Sequence, residues 1–263
     1  MRSHGGSFIE EMSEAAQNGR KGRPAAQESG KDAAGRDRLQ NKRNYQKELD
    51  RLLGGMPAGK HSLLLHSCCA PCSSYCLEYL REYFRITVFF FNPNITEQAE
   101  YEKRAAEEKR LIAAYNEQIE SGRFDGMHST ADAQRIEIME GRYCPQDFFE
   151  IVKGFEQCPE GGERCLHCYE LRLRETAQTA ARGRFDFFTT TLSISPLKHA
   201  AALNDIGGRL AEEYGVPYLY SDFKKKNGYK RSIELSAQFG LYRQDYCGCV
   251  FSRAERERRK AED

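Results

Sequence analysis

"SLLLHSCCAPCSSYC", residues 62–76, is the stretch on which the fold turns. An uninterrupted apolar run, Leu63 to Leu65, ends at His66, and Cys68, Cys69, Cys72 and Cys76 follow directly. A short, continuously apolar run fits a strand of a parallel sheet covered on both faces. Pro71 suits the first turn of a helix, where its missing N–H costs nothing. Cys76, Leu77, Leu80 and Phe84 then recur on one broad face of "SSYCLEYLREYF", the pattern of a half-buried helix. Strand, tight turn and helix follow one another without a linker.

The same alternation continues outward. "ITVFFFN" (Ile86–Asn92), "RIEIMEG" (135–141), "FDFFTTT" (185–191) and "VPYLYSD" (216–222) read as further strands. Between them, "TEQAEYEKRAAEEKRLIAAYNEQI" reads as a long charge-paired helix with Thr96 as N-cap. "YELRLRETAQTAARG" reads as a helix closed by Gly183, and another spans Leu197 to Tyr214. Upstream, "YQKELDRLLGGM" is a helix stopped by Gly54 and Gly55. The expected fold is α/β, a Rossmann-like three-layer sandwich with a mostly parallel sheet. In such sheets ligands gather at the carboxyl ends of the strands, which is where the first cysteines stand. One α/β catalytic domain is expected over residues 46–252, with a charged C-terminal tail at 253–263. Residues 1–45 nearly lack large apolar side chains and are expected to be a disordered extension.

The chain has 263 residues, 30 % charged, and a net charge of +1, so no global field points to nucleic acid or membrane. No apolar run approaches a membrane span, and the first residues lack the apolar core of a secretory signal. Ten cysteines without such a signal point to a reducing compartment, expected to be the cytoplasm, where clustered thiols bind metal or do redox work.

Thiols at a helix N-terminus feel its partial positive charge, which favours the thiolate, the form that ligates metal and attacks electrophiles. Cys68, Cys69 and Cys72 fit that description, whereas Cys76 falls one turn later in an apolar stripe and reads as core. "GERCLHCYEL" places Cys165-x-x-Cys168 before a helix, a spacing open to zinc, an iron–sulfur cluster or a redox dithiol. No second C-x-x-C with zinc-ribbon spacing exists, and adjacent Cys68 and Cys69 suit two corners of a cubane better than a zinc tetrahedron. "YRQDYCGCVF" carries Cys247-x-Cys249, in which Gly248 permits the tight backbone that brings two sulfurs together. This pair can cycle through a strained disulfide or clamp a metal. Cys144 and Cys158 have no spaced partners and read as incidental, and His167 as a surface residue.

"HSCCAPC", "RCLHC", "TTTLSISPLKH" and "YRQDYCGC", with "FFFNPNI" and "EYEKR", together resemble the QueH-type epoxyqueuosine reductases from about Ser62 to Phe251. The resemblance implies a sheet related to the nucleotide-binding α-hydrolases and a 4Fe–4S cluster with further metal or thiol chemistry beside it. It implies reduction of epoxyqueuosine to queuosine in tRNA, the last step of queuosine biosynthesis. On that basis Cys68, Cys69, Cys165 and Cys168 would hold the cluster. Cys72, Cys247 and Cys249 would remain as catalytic residues, serving a second mononuclear metal (iron or zinc) or a redox-active disulfide. Cys72 stands where some relatives have Asp, a harder ligand. The glycine phosphate loop of the α-hydrolases is replaced by cysteines, so ATP use is not expected.

Turning an epoxide into an alkene removes oxygen as water and consumes two electrons and two protons; side chains other than thiols cannot supply the electrons, so a metal, cofactor or dithiol is required. A Lewis acid would help the oxygen leave, and His66, Asp222 and Asp245 are candidate proton donors. The substrate would be an anticodon loop, read by aromatic stacking and basic contacts. "DFKKKNGYKR" supplies Lys224, Lys225, Lys226, Tyr229, Lys230 and Arg231 as the contact strip, and "RAERERRK" a second. An electron donor is required that the sequence does not identify. Two rival readings predict different observables. An ATP-dependent tRNA thiolase with an iron–sulfur cluster requires a glycine/serine phosphate loop after the first strand. A zinc-stabilised RNA-binding module requires colourless protein with tightly held zinc.

Overall fold

The computed structural model describes residues 43–124 and 132–262. Its helices are α1 (Tyr45–Gly55), α2 (Ala70–Leu80), α3 (Gln98–Ser121), α4 (Pro145–Ile151), α5 (Glu163–Gly183), α6 (Ala200–Tyr214), α7 (Gly228–Gln238) and α8 (Val250–Glu262). The strands are β1 (His61–His66), β2 (Phe84–Phe90), β3 (Glu137–Glu140) and β4 (Phe187–Thr190). They form one parallel sheet in the order β3-β2-β1-β4, with His66 abreast of Phe89 on one side and Thr190 on the other. The chain steps outward from β1 to β3, then returns to place β4 on the other side. The order therefore reverses between β1 and β4, which opens a crevice at their carboxyl ends.

Leu64, Phe89 and Phe188 meet Tyr169 and Leu173 of α5 and Leu203, Ile206 and Leu210 of α6 in one buried cluster. Leu63 and Leu65 alternate to the opposite face and are equally buried. There α2 packs against α3 and α7. Three layers result, as the continuous apolar run of β1 requires. Each large side chain withdrawn from water in this way contributes roughly 1.5–3 kcal/mol.

Several boundaries differ from the sequence reading for identifiable reasons. Phe84 belongs to β2 rather than to the preceding helix, because its ring packs edge-on against Phe187 at 5.7 Å. α3 starts at Gln98 with Glu97 as N-cap, and Thr96 does not cap it. The Thr96 N–H instead donates to Gly248 O at 3.2 Å. α5 begins at Glu163, so Cys165 and Cys168 lie inside its first turns rather than before it. Its left-handed terminal residue is Arg184, φ 54°, not Gly183, against which the Phe185 ring is folded. "VPYLYSD" is reduced to one bridge, Tyr218 to Phe188, since Pro217 has no N–H to continue a ladder. α4, α7 and α8 are helices beyond those expected from the sequence, and α8 takes in the charged tail as far as Glu262. The N-terminal extension up to residue 42 and residues 125–131 of the "SGRFDGMHSTADAQ" stretch lie outside the described residues.

Candidate metal and thiol centre

Cys69 caps α2 in extended conformation, and its carbonyl accepts from Cys72 N–H at 3.1 Å and Ser73 N–H at 3.0 Å. This first turn directs Cys68, Cys69 and Cys72 together: their sulfurs lie within 4.8 Å of one another, a group that could hold a metal ion. Hydrogen bonding from Cys69 and then Cys72 holds the Cys68 thiol well below its ordinary range, with Arg172 and His66 assisting. The same contacts push Cys69 and Cys72 upward, so the trio shares one thiolate.

The turn is braced from three strands. Asn92, just beyond β2, donates to Ser67 O at 2.8 Å, and the Cys68 N–H donates to Thr191 Oγ1 at 3.4 Å. His66 reaches Thr190 Oγ1 at 2.8 Å and Phe91 O at 3.1 Å. Burial first, and Arg172 second, push the His66 pKa down to about 3, so the ring is neutral. It ties the strand ends together and lines neither cavity of the site.

A second group comes from α5 and the chain before α8. Cys165, Cys168, Cys247 and Cys249 line one small cleft of about 10 Å³. Burial pushes Cys168 up to about 11 and raises Cys165, whose sulfur accepts from Gly161 N–H at 3.2 Å. The sulfurs of Cys247 and Cys249 stand 3.5 Å apart, both thiols free. Their hydrogen bond lowers Cys247 far below the thiol range, assisted by Lys198, and raises Cys249. Gly248 adopts φ 113°, and a Cβ there would meet Ile95 Cγ1 at 2.8 Å, so both conformation and space demand glycine. The loop is held from "FFFNPNI" and "EYEKR": Asn94 Nδ2 and Arg104 Nη1 donate to Cys247 O at 3.3 and 3.2 Å.

Above Cys68, Cys69 and Cys72 opens a larger cavity of about 350 Å³, with Tyr229, Arg243, Asp245 and Tyr246 among its walls. Arg172, Lys198 and Cys247 line both cavities and so form the partition between the two thiol groups. The four expected cluster ligands are divided by it, Cys68 and Cys69 facing the larger cavity, Cys165 and Cys168 the smaller.

Among the expected proton donors, only Asp245 lines the larger cavity. Lys260 at 2.6 Å and Arg256 at 3.3 Å hold it below the carboxylate range, as an anion. Asp222 pairs with Lys224 at 2.8 Å and faces neither cavity. Of the expected tRNA strip, Tyr229 lines the cavity and Lys225 and Lys230 are exposed beside it in sequence. Lys226 pairs with Asp50 at 2.6 Å, and Arg231 is engaged with Glu78 at 2.8 Å, the latter 1 % exposed.

A family model described as epoxyqueuosine reductase QueH matches residues 63–255, from β1 into α8. The chain belongs to this family. It is similar to the epoxyqueuosine reductase QueH of Streptococcus pyogenes, 41 % identical over 73 % of this chain and 70 % of that one. It is 37 % identical to the Staphylococcus epidermidis QueH over 80 % of this chain and 84 % of that one. The Thermotoga maritima QueH is 33 % identical over 76 % and 95 % respectively. The match includes both thiol groups and the partition.

Within this QueH chain, sequence reasoning missed Asn92, Asn94, Arg104, Arg172 and Lys198. The signal was present for four of them, which lie in "FFFNPNI", "EYEKR" and "TTTLSISPLKH". Arg172 stands one helical turn after Cys168, a spacing that means little until the helix is known to start at Glu163.

Proposed function

We propose that this chain is an oxidoreductase that reduces epoxyqueuosine in tRNA to queuosine, working in the reducing cytoplasm. The observation that carries the reading is the convergence of two thiol groups on one partition at the sheet's reversal point, under a cavity of about 350 Å³. That volume lies in the range of small-molecule pockets and accommodates a modified base splayed from an anticodon loop. Tyr229 and Tyr246 offer stacking faces, and Arg243 a cation toward the backbone.

The donor set fits a 4Fe–4S cluster: soft thiols from two helix starts, with buried cations beside them to balance its charge. Cys68, Cys69, Cys165 and Cys168 would hold it, and such a cluster would supply electrons one at a time. Cys72 would be left for a second iron or zinc. Cys247 as thiolate and Cys249 as thiol together can yield two electrons and one proton on closing a disulfide. With a second proton drawn from solvent in the cavity these convert the epoxide into alkene and water, and an outside donor of two electrons then restores the reduced pair. Cys247 is the anionic member and borders the substrate cavity, whereas Cys249 keeps its proton. The Lys198 ammonium, paired with Glu160 at 2.6 Å, faces the same space and is placed to stabilise developing negative charge on the departing oxygen.

A second division of ligands is favoured by one observation: Cys165, Cys168, Cys247 and Cys249 line a single cleft. In that case those four would hold the cluster, and Cys68, Cys69 and Cys72 the mononuclear metal. Anaerobic reconstitution with iron, zinc and sulfide analysis tests the function reading directly. About four iron and four sulfide per chain are expected, with conversion of epoxyqueuosine-bearing tRNA followed by mass spectrometry of the digested nucleosides. Zinc without sulfide, or unchanged nucleoside, overturns the reading. Cys165→Ala is expected to bleach the protein under either division, and Cys68→Ala only under the first.

A further inference from the structure

We infer that Arg172 is the fixed counter-charge of a sulfur-bound anion at the partition between the two cavities, and that it raises that anion's affinity for electrons. The side chain is 3 % exposed, and its guanidinium is charged at any working pH. Among the described residues its side chain makes one hydrogen bond, Nε to Cys168 O at 3.3 Å, and has no carboxylate partner. The other buried cations of the site each have their own acid: Lys198 has Glu160 at 2.6 Å and Arg104 has Glu100 at 2.7 Å. A buried charge without a partner is strongly destabilising, so Arg172 requires an anion. Arg172 lines both thiol-bearing cavities, with Cys68, Cys69 and Cys72 on the walls of one, Cys165, Cys168 and Cys249 on the walls of the other, and Cys247 on both. The counter-ion is therefore a sulfur species to which both thiol groups contribute.

The nature of that anion rests on the cluster reading above. A cluster held by four thiolates is negatively charged and gains further negative charge on reduction, so a cation facing it favours the reduced form. Arg172 then acts as a positioning residue for charge and takes no part in bond breaking.

The test compares Arg172→Met and Arg172→Gln with Arg172→Lys in the full chain. In the reconstituted protein, a spectroscopic redox titration is expected to show a fall of at least about 59 mV in the neutral variants. That is a tenfold shift in a one-electron equilibrium, and Arg172→Lys should shift it less than threefold. In metal-free protein, alkylation of Cys68 and Cys247 by iodoacetamide at pH 7 is expected to slow at least tenfold in the neutral variants only. An unmoved potential with a normal cluster overturns the inference and leaves the function standing. Wild-type protein that takes up no iron and sulfide overturns the cluster reading instead. The alkylation rates alone then decide for Arg172, and unchanged rates overturn it. If the neutral variants do not fold while Arg172→Lys does, the charge is required as inferred. If Arg172→Lys also fails, a steric role replaces it.

Discussion

At the scale of single residues, the pair around Gly248 is the most constrained part of the site. Its φ of 113° and the Ile95 side chain leave no room for a Cβ, so Gly248→Ala is expected to cost about 1–3 kcal/mol of stability. It should also slow epoxyqueuosine reduction more than it lowers iron content, because the loop presents Cys247 to the cavity. Thermal melts read beside turnover check this; equal losses of iron and activity would contradict it. Cys247→Ser and Cys249→Ser are each expected to keep the cluster colour and lose at least about a hundredfold in rate, roughly 3 kcal/mol of barrier. Loss of colour in either variant would transfer those two sulfurs to the cluster, as the shared cleft with Cys165 and Cys168 allows.

Among elements, α7 separates two kinds of basic residue that look alike in "DFKKKNGYKR". Arg231 bonds both carboxylate oxygens of Glu78, at 2.8 and 3.0 Å, and so fastens α7 to α2. Arg231→Ala would leave Glu78 buried and unpaired, and is expected to destabilise the protein by about 3–5 kcal/mol in denaturant melts. Lys225 and Lys230 are exposed and carry no such duty. Changing both to Ala is expected to leave the melt unchanged while lowering the salt slope of tRNA binding by about 1.4, or about 0.7 per lost single-strand phosphate contact. An unchanged slope would move the tRNA contact to another face, with the helical "RAERERRK" segment of α8 the next to test.

For the whole molecule, the buried groups behind the site make stability depend on pH. Glu108 of α3 is fully buried, has no cationic partner among the described residues, and is pushed up to about 8 by desolvation, against the Ser67 and Ser73 hydroxyls that favour its anion. The folded state thus keeps a proton that the unfolded chain releases above its ordinary value of 4.5. The resulting stability is complete below pH 4.5 and drains away as pH rises through about 8. Metal-free protein is expected to lose on the order of 4 kcal/mol between pH 5 and 8 through this group. Glu108→Gln should flatten that slope in urea titrations across the same range; an unaltered slope would assign it to other groups.

The sequence by itself determined the parallel strands at the centre of the sheet and the grouping of thiols at a strand end. The apolar runs Leu63–Leu65 and Ile86–Phe91 can be satisfied only by strands covered on both faces. Pro71 and the adjoining cysteines mark a helix start at a strand end, and period and turn chemistry are local properties that a window of a dozen residues carries. Gly248 between two thiols was legible for the same reason. Tertiary structure alone decided which sulfurs share a cavity, because Cys68, Cys168 and Cys247 stand far apart in the chain and come to the two sides of one partition only where the strand order reverses. It also decided that Arg231 binds α2 rather than solvent, and that Asp245 is an anion at the cavity wall. Above all it placed Arg172 among thiols without an acid beside it. A charge is only a charge in the sequence; what it must balance depends on the dielectric and the neighbours that folding brings around it.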